Sequence, residues 1–576
     1  MRGPELAAVL VEFRQFLPLY LRECWRRSAR RIAIGRGGPW PFLGKAPDRL
    51  VVAPTDLRIA DPYIAHEIHQ GRFPLDGRVL DTGGHSPFSL EGPSVGFDKI
   101  LHSFRWLRHL RAANDAEAYG DARKFTELWI KECGRRASGV AWEPDVTAQR
   151  VIAWLSHSPI VLKNQDRNFY RRFVKSLATQ IRYLHKVAPA VRDGEKRFRV
   201  RIALAMATLA LPANPAAIKS AARQLDNEIE KQILADGGHI SRNPQVTLIL
   251  LADLLPLRQT YLNLGYTPPK GLVSVIDRMF QTLQFFRHAD GSLALFNGAT
   301  AQPADRLLSV LRYDEATGMP LKSTPQMNYQ RLSAKGTIII ADTGPIPQDE
   351  LSATAHAGCL SFELSSGRQR FIVNSGTPSY FHAQYAHLAR TTAAHSTLIV
   401  GDRSSATISN SAFLGPILTD GPKNVDVERK DDATGRQGFI ARHDGYAKIL
   451  GLVHERSILL SADGNVVNGR DRLAKAANQK ISINENTPAV IRFHIHPKVK
   501  LSYNYKNDIV LTAGNGESWT FHSPDVKPEV EEDIYFADLA GARRSLQITL
   551  TFVVSQTSQI NWSLFRSIAK AAPPQS

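Results

Sequence analysis

His356, Asn374 and His395 fall at the ends of alternating apolar runs between Ser352 and Val400. Three polar side chains at strand ends can converge on one rim of a sheet, as a hydrogen-bonded cluster or as a site. A second group stands in Asp236-Gly237-Gly238-His239-Ile240-Ser241-Arg242-Asn243-Pro244, a polar turn leading into an apolar run from Val246. A third lies in Arg287-His288-Ala289-Asp290-Gly291 and in Leu295-Phe296-Asn297-Gly298. Placed on loops that join helices, His239, Arg242, Asn243, Arg287, His288 and Asn297 would make a cationic, amide-lined rim. Imidazoles move protons near neutral pH, and guanidinium groups clasp carboxylates in a bidentate fork. The same residues also suit ordinary turns, since Asn243 precedes a proline and Asp290 a glycine. Tyr380, Tyr385 and Arg390 lie between Asn374 and His395. A tyrosine there serves as acid or base or packs on the sheet; Arg390 serves a carboxylate or a surface ion pair.

The elements that must position these residues differ between the two halves of the chain. From Ile100 to about Leu211 apolar residues recur at helical spacing, as in Leu101, Phe104, Trp106, Leu107 and Leu110. The pattern continues through Ile218–Leu234, Val246–Leu257 and Leu272–Phe286. Short breaks between successive helices imply antiparallel neighbours. Between about Leu311 and Tyr329 the helical period stops at Asp314, Gly318, Pro320 and Pro325. Short alternating runs follow, among them Gly336–Asp342, Cys359–Leu364, Phe371–Asn374, Thr397–Val400, Val490–His496 and Leu546–Val554. Gly, Asn and Asp separate them, the pattern of an antiparallel sandwich. The runs flanking His356, Asn374 and His395 read as three antiparallel strands on one face.

With 576 residues and 43% hydrophobic composition, two large domains can each bury a core. The formal charge of +18 attracts polyanions such as nucleic acid, anionic headgroups or acidic polysaccharide. No nucleic-acid module is visible, so no nucleic-acid partner is expected. Gly35-Arg36-Gly37-Gly38 lacks the spacing of a phosphate loop. No serine elbow or paired-carboxylate motif favours another hydrolase type. Cys24, Cys133 and Cys359 are odd in number and far apart, which gives neither a disulfide framework nor a cysteine metal site. The N-terminal stretch carries Arg22, Arg26, Arg27, Arg30 and Arg31 beside apolar residues. It reads as a basic helix packed on its own protein, or in weak peripheral contact with a membrane. Neither an export signal nor a membrane-spanning run is recognised, so a cytoplasmic or envelope-associated location is expected.

The stretch from His356 to His395, with Leu101-His102-Ser103-Phe104-Arg105-Trp106-Leu107 and Trp142 to Trp154, resembles the heparinase II/III-like proteins. These are relatives of polysaccharide lyases that cut acidic sugar chains by β-elimination. The resemblance spans roughly residues 65–560. It implies an α+β multidomain chain: an N-terminal (α/α) toroid of helices at 65–320 after an extension at 1–64, then an antiparallel β-sandwich at 321–565; the terminal stretch 566–576 is expected to be a disordered tail. It implies an acidic, uronate-containing polysaccharide or oligosaccharide as partner and zinc held by His356, Asn374 and His395. Beside a uronate, β-elimination needs a group that neutralises the carboxylate, a base for the adjacent proton and an acid for the departing oxygen. The roles expected here are Arg242 and Asn243 on the carboxylate, His239 or His356 as base, and Tyr329 or Tyr385 as acid. Arg287, His288, Asn297 and Arg390 are expected to bind substrate.

Departures from the family pattern matter as much. Asn374 stands where the resemblance expects Asp, and an amide is a weaker, neutral zinc ligand. Thr354 stands where a catalytic His is expected, Glu195-Lys196 where an Asn-His pair is, and Val246 where a Tyr is. Two functions therefore stand side by side: a lyase with rearranged catalytic groups, and a non-catalytic binding or envelope-assembly protein on the same scaffold.

Overall fold

Polar caps set the helices of the N-terminal half. Asp166, Asn214 and Asn243 each accept a backbone N–H at the start of helices Arg167–Val187, Pro215–Gln232 and Pro244–Asn263. Proline at the first turn of the latter two needs no amide partner there. The computed structural model describes residues 3–35, 44–164, 166–314, 319–378, 383–477 and 479–567. Tyr380, Arg36-Gly37-Gly38 and the tail from residue 568 lie outside them. The apolar run at Leu101–Leu110 is two helices, Val95–Ser103 and Leu107–Ala113, because Phe104 turns left-handed (φ 58°) between them. Its ring stacks on Trp106 and meets Trp129 and Trp154 edge-on, which closes the helical core around this turn.

Two large antiparallel sheets dominate the C-terminal half, beside a small pair of Thr407–Ile408 with Leu418–Asp420. Among the described residues one has nine strands, including Tyr329–Ala334, Thr337–Asp342, Phe362–Ser366, Gln369–Val373 and Pro488–Ile495; the other has eight. Strand Thr337–Asp342 is buried throughout. Alternation explains it: Ile339 and Ala341 join the core between the sheets, while Ile338 and Ile340 join the helical core. The nine-stranded sheet thus has the second sheet on one face and the helices on the other. Polar residues on its helix-facing side are therefore buried, and that decides the fate of most candidate residues.

The three runs around His356, Asn374 and His395 do not form one three-stranded unit. Phe362–Ser366 and Gln369–Val373 pair, but Leu398–Val400 pairs with Pro488–Ile495 instead. The latter strand also pairs with Gln369–Val373, through His494 and Ile495, and so stands between the two runs.

The N-terminal helix, Gly3–Ile34, is packed on its own protein. It lies between the helical half and the sheet half, with Arg26 largely buried and Arg22 and Arg27 half exposed, each bonded to a polar partner on the sheet half. No helix among the described residues is long and apolar enough to cross a membrane.

Candidate functional site

A cavity of about 550 Å³ opens where the helices, the sheet domain and the N-terminal helix meet. Its floor is the turn from His239 to Val246, which enters helix Pro244–Asn263. One wall is the start of helix Glu195–Ala210, with Asp193, Gly194, Glu195 and Lys196. The opposite wall is the short helix Asp349–Thr354 of the sheet domain, and the N-terminal helix supplies a third through Glu23, Arg26, Arg27 and Arg30. Gly298 (φ 95°) admits the close approach of these parts, since a Cβ there would stand 2.8 Å from the Thr354 carbonyl and 3.1 Å from Asn243 Nδ2. Thr354, Val246 and Glu195-Lys196, the positions where the resemblance expects catalytic groups, all line this cavity.

His239 lines the cavity but is fully buried. Gln232 uses its amide N–H on Glu228, so its carbonyl accepts His239 Nε2–H at 2.9 Å. His239 Nδ1 then accepts both the Ser241 hydroxyl (2.8 Å) and the Ser241 N–H (3.1 Å). Burial pushes this imidazole down to about 3. It is a neutral, engaged ring. Asn243 caps its helix with Oδ1, and its Nδ2 has no partner among the described residues.

The other candidates hold the two halves together. Arg242, itself left-handed (φ 59°), donates to the carbonyls of Met327 (2.8 Å), Pro345 (2.7 Å) and Asn328 (3.3 Å) and pairs with Asp342. Its guanidinium faces protein on every side and leaves no fork for a substrate carboxylate. The Tyr329 hydroxyl donates to the Arg242 carbonyl at 2.7 Å and accepts from Asn297 at 2.7 Å. Burial raises it far above the ordinary phenol range, and it is absent from the cavity wall. Asn297 also donates to Asp342 and accepts the His356 N–H. His288 is bound by Ser365 and Glu363, whose carboxylate also pairs with Arg370. Arg390 gives its donors to the carbonyls of Ala355, Ser352 and Pro416, and burial lowers it to about 10. Arg287 lies at the bridge to Leu293, and Tyr385 lies beside Phe536; neither lines the cavity.

His356 and His395 do meet. His395 Nδ1 donates to the Thr391 carbonyl (2.7 Å), which leaves Nε2 as acceptor for His356 Nδ1–H (2.9 Å). His356 Nε2 in turn accepts the Thr377 hydroxyl at 3.0 Å. Burial keeps both rings neutral, His395 at about 4 and His356 well below its ordinary value. Asn374 turns its Oδ1 to the Ser396 N–H (3.1 Å) instead of joining them. The lone pairs that would bind zinc are thus engaged in a closed hydrogen-bond chain, and this arrangement does not fit an ion held by His356, Asn374 and His395. No three His, Cys, Asp or Glu side chains are grouped to hold a metal among the described residues.

The charges at the cavity sort in an informative way. Each lining carboxylate already has a cation: Glu23 with Arg27 and Arg192, Glu143 with Lys99, Asp145 and Glu195 with Arg199, Asp193 with Arg197 and Lys231, and Glu350 with Arg26. Arg30, which bonds the Tyr183 hydroxyl, and Lys196 have no carboxylate partner among the described residues. The groups left without acidic partners at the cavity are therefore donors: Arg30, Lys196 and the Asn243 amide. Lys196 stands at a position that the family pattern marks, whereas nothing in the residues around Arg192 points to it. Arg22, Arg26 and Arg30 were detectable, because spacing by four puts them on one helix face.

Comparison with known proteins agrees with this architecture. The profile described as "Heparinase II/III-like, C-terminal" matches residues 316–563. FtsZ-localized protein C of Caulobacter vibrioides is 30% identical over 549 residues, covering 91% of this chain and 93% of that protein. The chain belongs to the heparinase II/III-like family. Among solved structures, heparinase III superposes with a TM-score of 0.67 at 13% identity, covering 88% of this chain and 85% of that one. A heparan sulfate lyase mutant from Pedobacter heparinus gives 0.60 at 14% identity, with 96% and 89% covered. At such identities the likeness is one of fold: a helical (α/α) toroid followed by an antiparallel β-sandwich.

Proposed function

We propose that this protein binds an acidic polysaccharide or oligosaccharide in the cleft between toroid and sandwich, and that it does so without β-elimination. The observation that carries this reading is the sorting of charge: every lining carboxylate is paired, while Arg30, Lys196 and Asn243 keep donors for an acceptor-rich anion. A volume of about 550 Å³ lies within the usual range for a small-molecule site, about 300–1,000 Å³. The absence of cleavage rests on the replaced positions, Thr354, Val246 and Glu195-Lys196, and on the neutral, doubly engaged His239. The relative from Caulobacter is named for its localisation to FtsZ. We carry that placement over, as a protein holding envelope polysaccharide beside an FtsZ assembly. The lyase reading is supported by the heparinase II/III-like family match and fold and by the presence of His239, Ser241 and Asn243 on the floor of the cleft.

The test has two readouts on the same acidic oligosaccharides, tetragalacturonate and heparan sulfate fragments among them. Calorimetry reports binding, and ultraviolet absorbance reports the unsaturated uronate that β-elimination leaves. Binding that weakens about tenfold in Lys196→Ala and Asn243→Ala, with flat absorbance, is the expected result, since a hydrogen bond to a charged group contributes about 1.5–3 kcal/mol. Rising absorbance that disappears in His239→Ala would establish the lyase instead.

A further inference from the structure

The N-terminal helix is oriented against the usual rule. A packed helix ordinarily buries its apolar stripe and exposes its charges. Here Leu17, Leu21 and Trp25, one face at spacing four, point outward, and Trp25 is 58% exposed. The charged face is the one that docks. Glu23 is 7% exposed and bridges to the toroid, accepting Arg192 through both oxygens at 2.7 and 2.9 Å. Arg26 pairs with Glu350 and Arg22 with Asp349 at 2.9 Å, both on the sandwich. Arg27 donates to the Phe413 carbonyl at 2.7 Å with its guanidinium 4.1 Å from the ring centroid, and Tyr20 stacks on the same ring. Arg30, one turn beyond Arg26, reaches the cavity.

We propose that this helix is a detachable third wall of the cleft, contributing Arg30 to the ligand, so that docking of the helix and occupation of the cleft favour each other. The ligand half rests on the acidic-saccharide reading above. Charge bookkeeping at the cavity supports it. Without the helix, the lining residues are Glu143, Asp145, Asp193, Glu195 and Glu350 against Arg192 and Lys196. The docked helix adds Glu23 and three arginines. Glu143, Asp145, Asp193 and Glu195 keep their own cations whether or not the helix is docked, so docking changes the cleft by covering Glu350 with Arg26, engaging Arg192 with Glu23 and bringing in Arg30. An acidic chain meets a bare Glu350 when the helix is away and Arg30 when it is docked. The docking contacts are polar on both sides: Arg22–Asp349 is half exposed and screened by salt, while Glu23 and the Arg26–Glu350 pair are largely buried and carry most of the hold. All of these groups can return to water when the helix leaves, so docking is reversible. Linkage then makes the effect reciprocal: whatever the helix adds to ligand affinity, the ligand adds to docking.

Hydrogen–deuterium exchange of the full chain, read on peptides within residues 16–34, measures docking without any ligand. Glu350→Arg and Arg26→Glu should each speed exchange there and leave the toroid and sandwich peptides unchanged, and the two together should restore protection. Tetragalacturonate should slow exchange in the wild type and bind about fivefold or more weakly to Glu350→Arg and to Arg30→Ala. Unchanged exchange in both single variants would overturn the detachable wall, whatever the oligosaccharide does. Exchange that responds as expected, with equal oligosaccharide affinity in wild type and Glu350→Arg, would overturn the coupling. Exchange that responds, with no affinity for this or any other acidic oligosaccharide even in the wild type, would sink the saccharide reading and the coupling with it while the helix remained a detachable wall.

Discussion

Arg242→Met separates a residue that holds the fold from one that holds a ligand. The substitution keeps the apolar stem and removes the guanidinium, leaving Asp342 buried without its cation and three carbonyls, those of Met327, Pro345 and Asn328, without that donor. Breaking a buried pair by deleting one partner costs about 3–5 kcal/mol, chiefly because the stranded charge stays desolvated. For a single cooperative unit of 576 residues the unfolding entropy is about 1.2 kcal/mol per kelvin, so Tm should fall by about 3 °C. The denaturant midpoint should fall in parallel. Arg242→Met with Asp342→Asn should recover part of the loss, because the second change removes the stranded charge. Calorimetric melting and urea titration of the four proteins make the cycle. Full stability in Arg242→Met, together with a tenfold loss of oligosaccharide binding, would refute the assignment and return the guanidinium to the ligand.

Acid should destabilise the protein through its buried histidines. Burial depresses His239 to about 3 and His395 to about 4, below their unfolded value, so their contribution is complete above about pH 6.5 and declines as pH falls toward the folded values. By pH 5 each should have removed about 2 kcal/mol, and a urea midpoint independent of pH between 7 and 5 would contradict this. Metal analysis of the purified protein should find less than stoichiometric zinc, and Asn374→Asp should raise it by supplying a carboxylate ligand. Full zinc in the wild type, lost in His395→Ala, would show that the histidine pair opens around an ion. Glu363→Gln should destabilise the sheet–helix contact by about 3 kcal/mol or more, because Arg370 loses its buried counter-charge and His288 an acceptor; an unchanged midpoint would count against that network.

The fold was legible where a period was long. Helical spacing from Ile100 to Phe286 and alternation after Tyr329 mark the two halves because packing on one face imposes them on the sequence. Strand partners were not legible: the insertion of Pro488–Ile495 between Gln369–Val373 and Leu398–Val400 is a contact over about a hundred residues, which no local pattern encodes. Candidate site residues were identifiable as polar groups at turns, but a site and a buried domain contact ask for the same residue types. Arg242, Asn297, His288 and Arg390 meet carbonyls and carboxylates of their own chain because the nine-stranded sheet is covered on both faces. Whether a guanidinium faces protein or solvent depends on that second layer, which the surrounding residues do not reveal.

Whole-chain charge misleads at the scale of a cleft. The surplus of +18 suggests a cationic site for a polyanion, yet the cavity wall carries six carboxylates, Glu23, Glu143, Asp145, Asp193, Glu195 and Glu350, against five cations. Affinity for an anion there depends on which donors remain after the protein has satisfied itself, because a paired arginine has already lost its fork and much of its field. By that measure the cleft offers Lys196, Asn243 and Arg30 and little else. Among the described residues that line it, the imidazole present is His239, which is held neutral between Gln232 and Ser241. The polar groups that survive intact are those that lock toroid to sandwich. Together they describe a heparinase II/III-like scaffold whose toroid–sandwich junction consumes, in its own buried pairs, most of the polar residues that looked like a site.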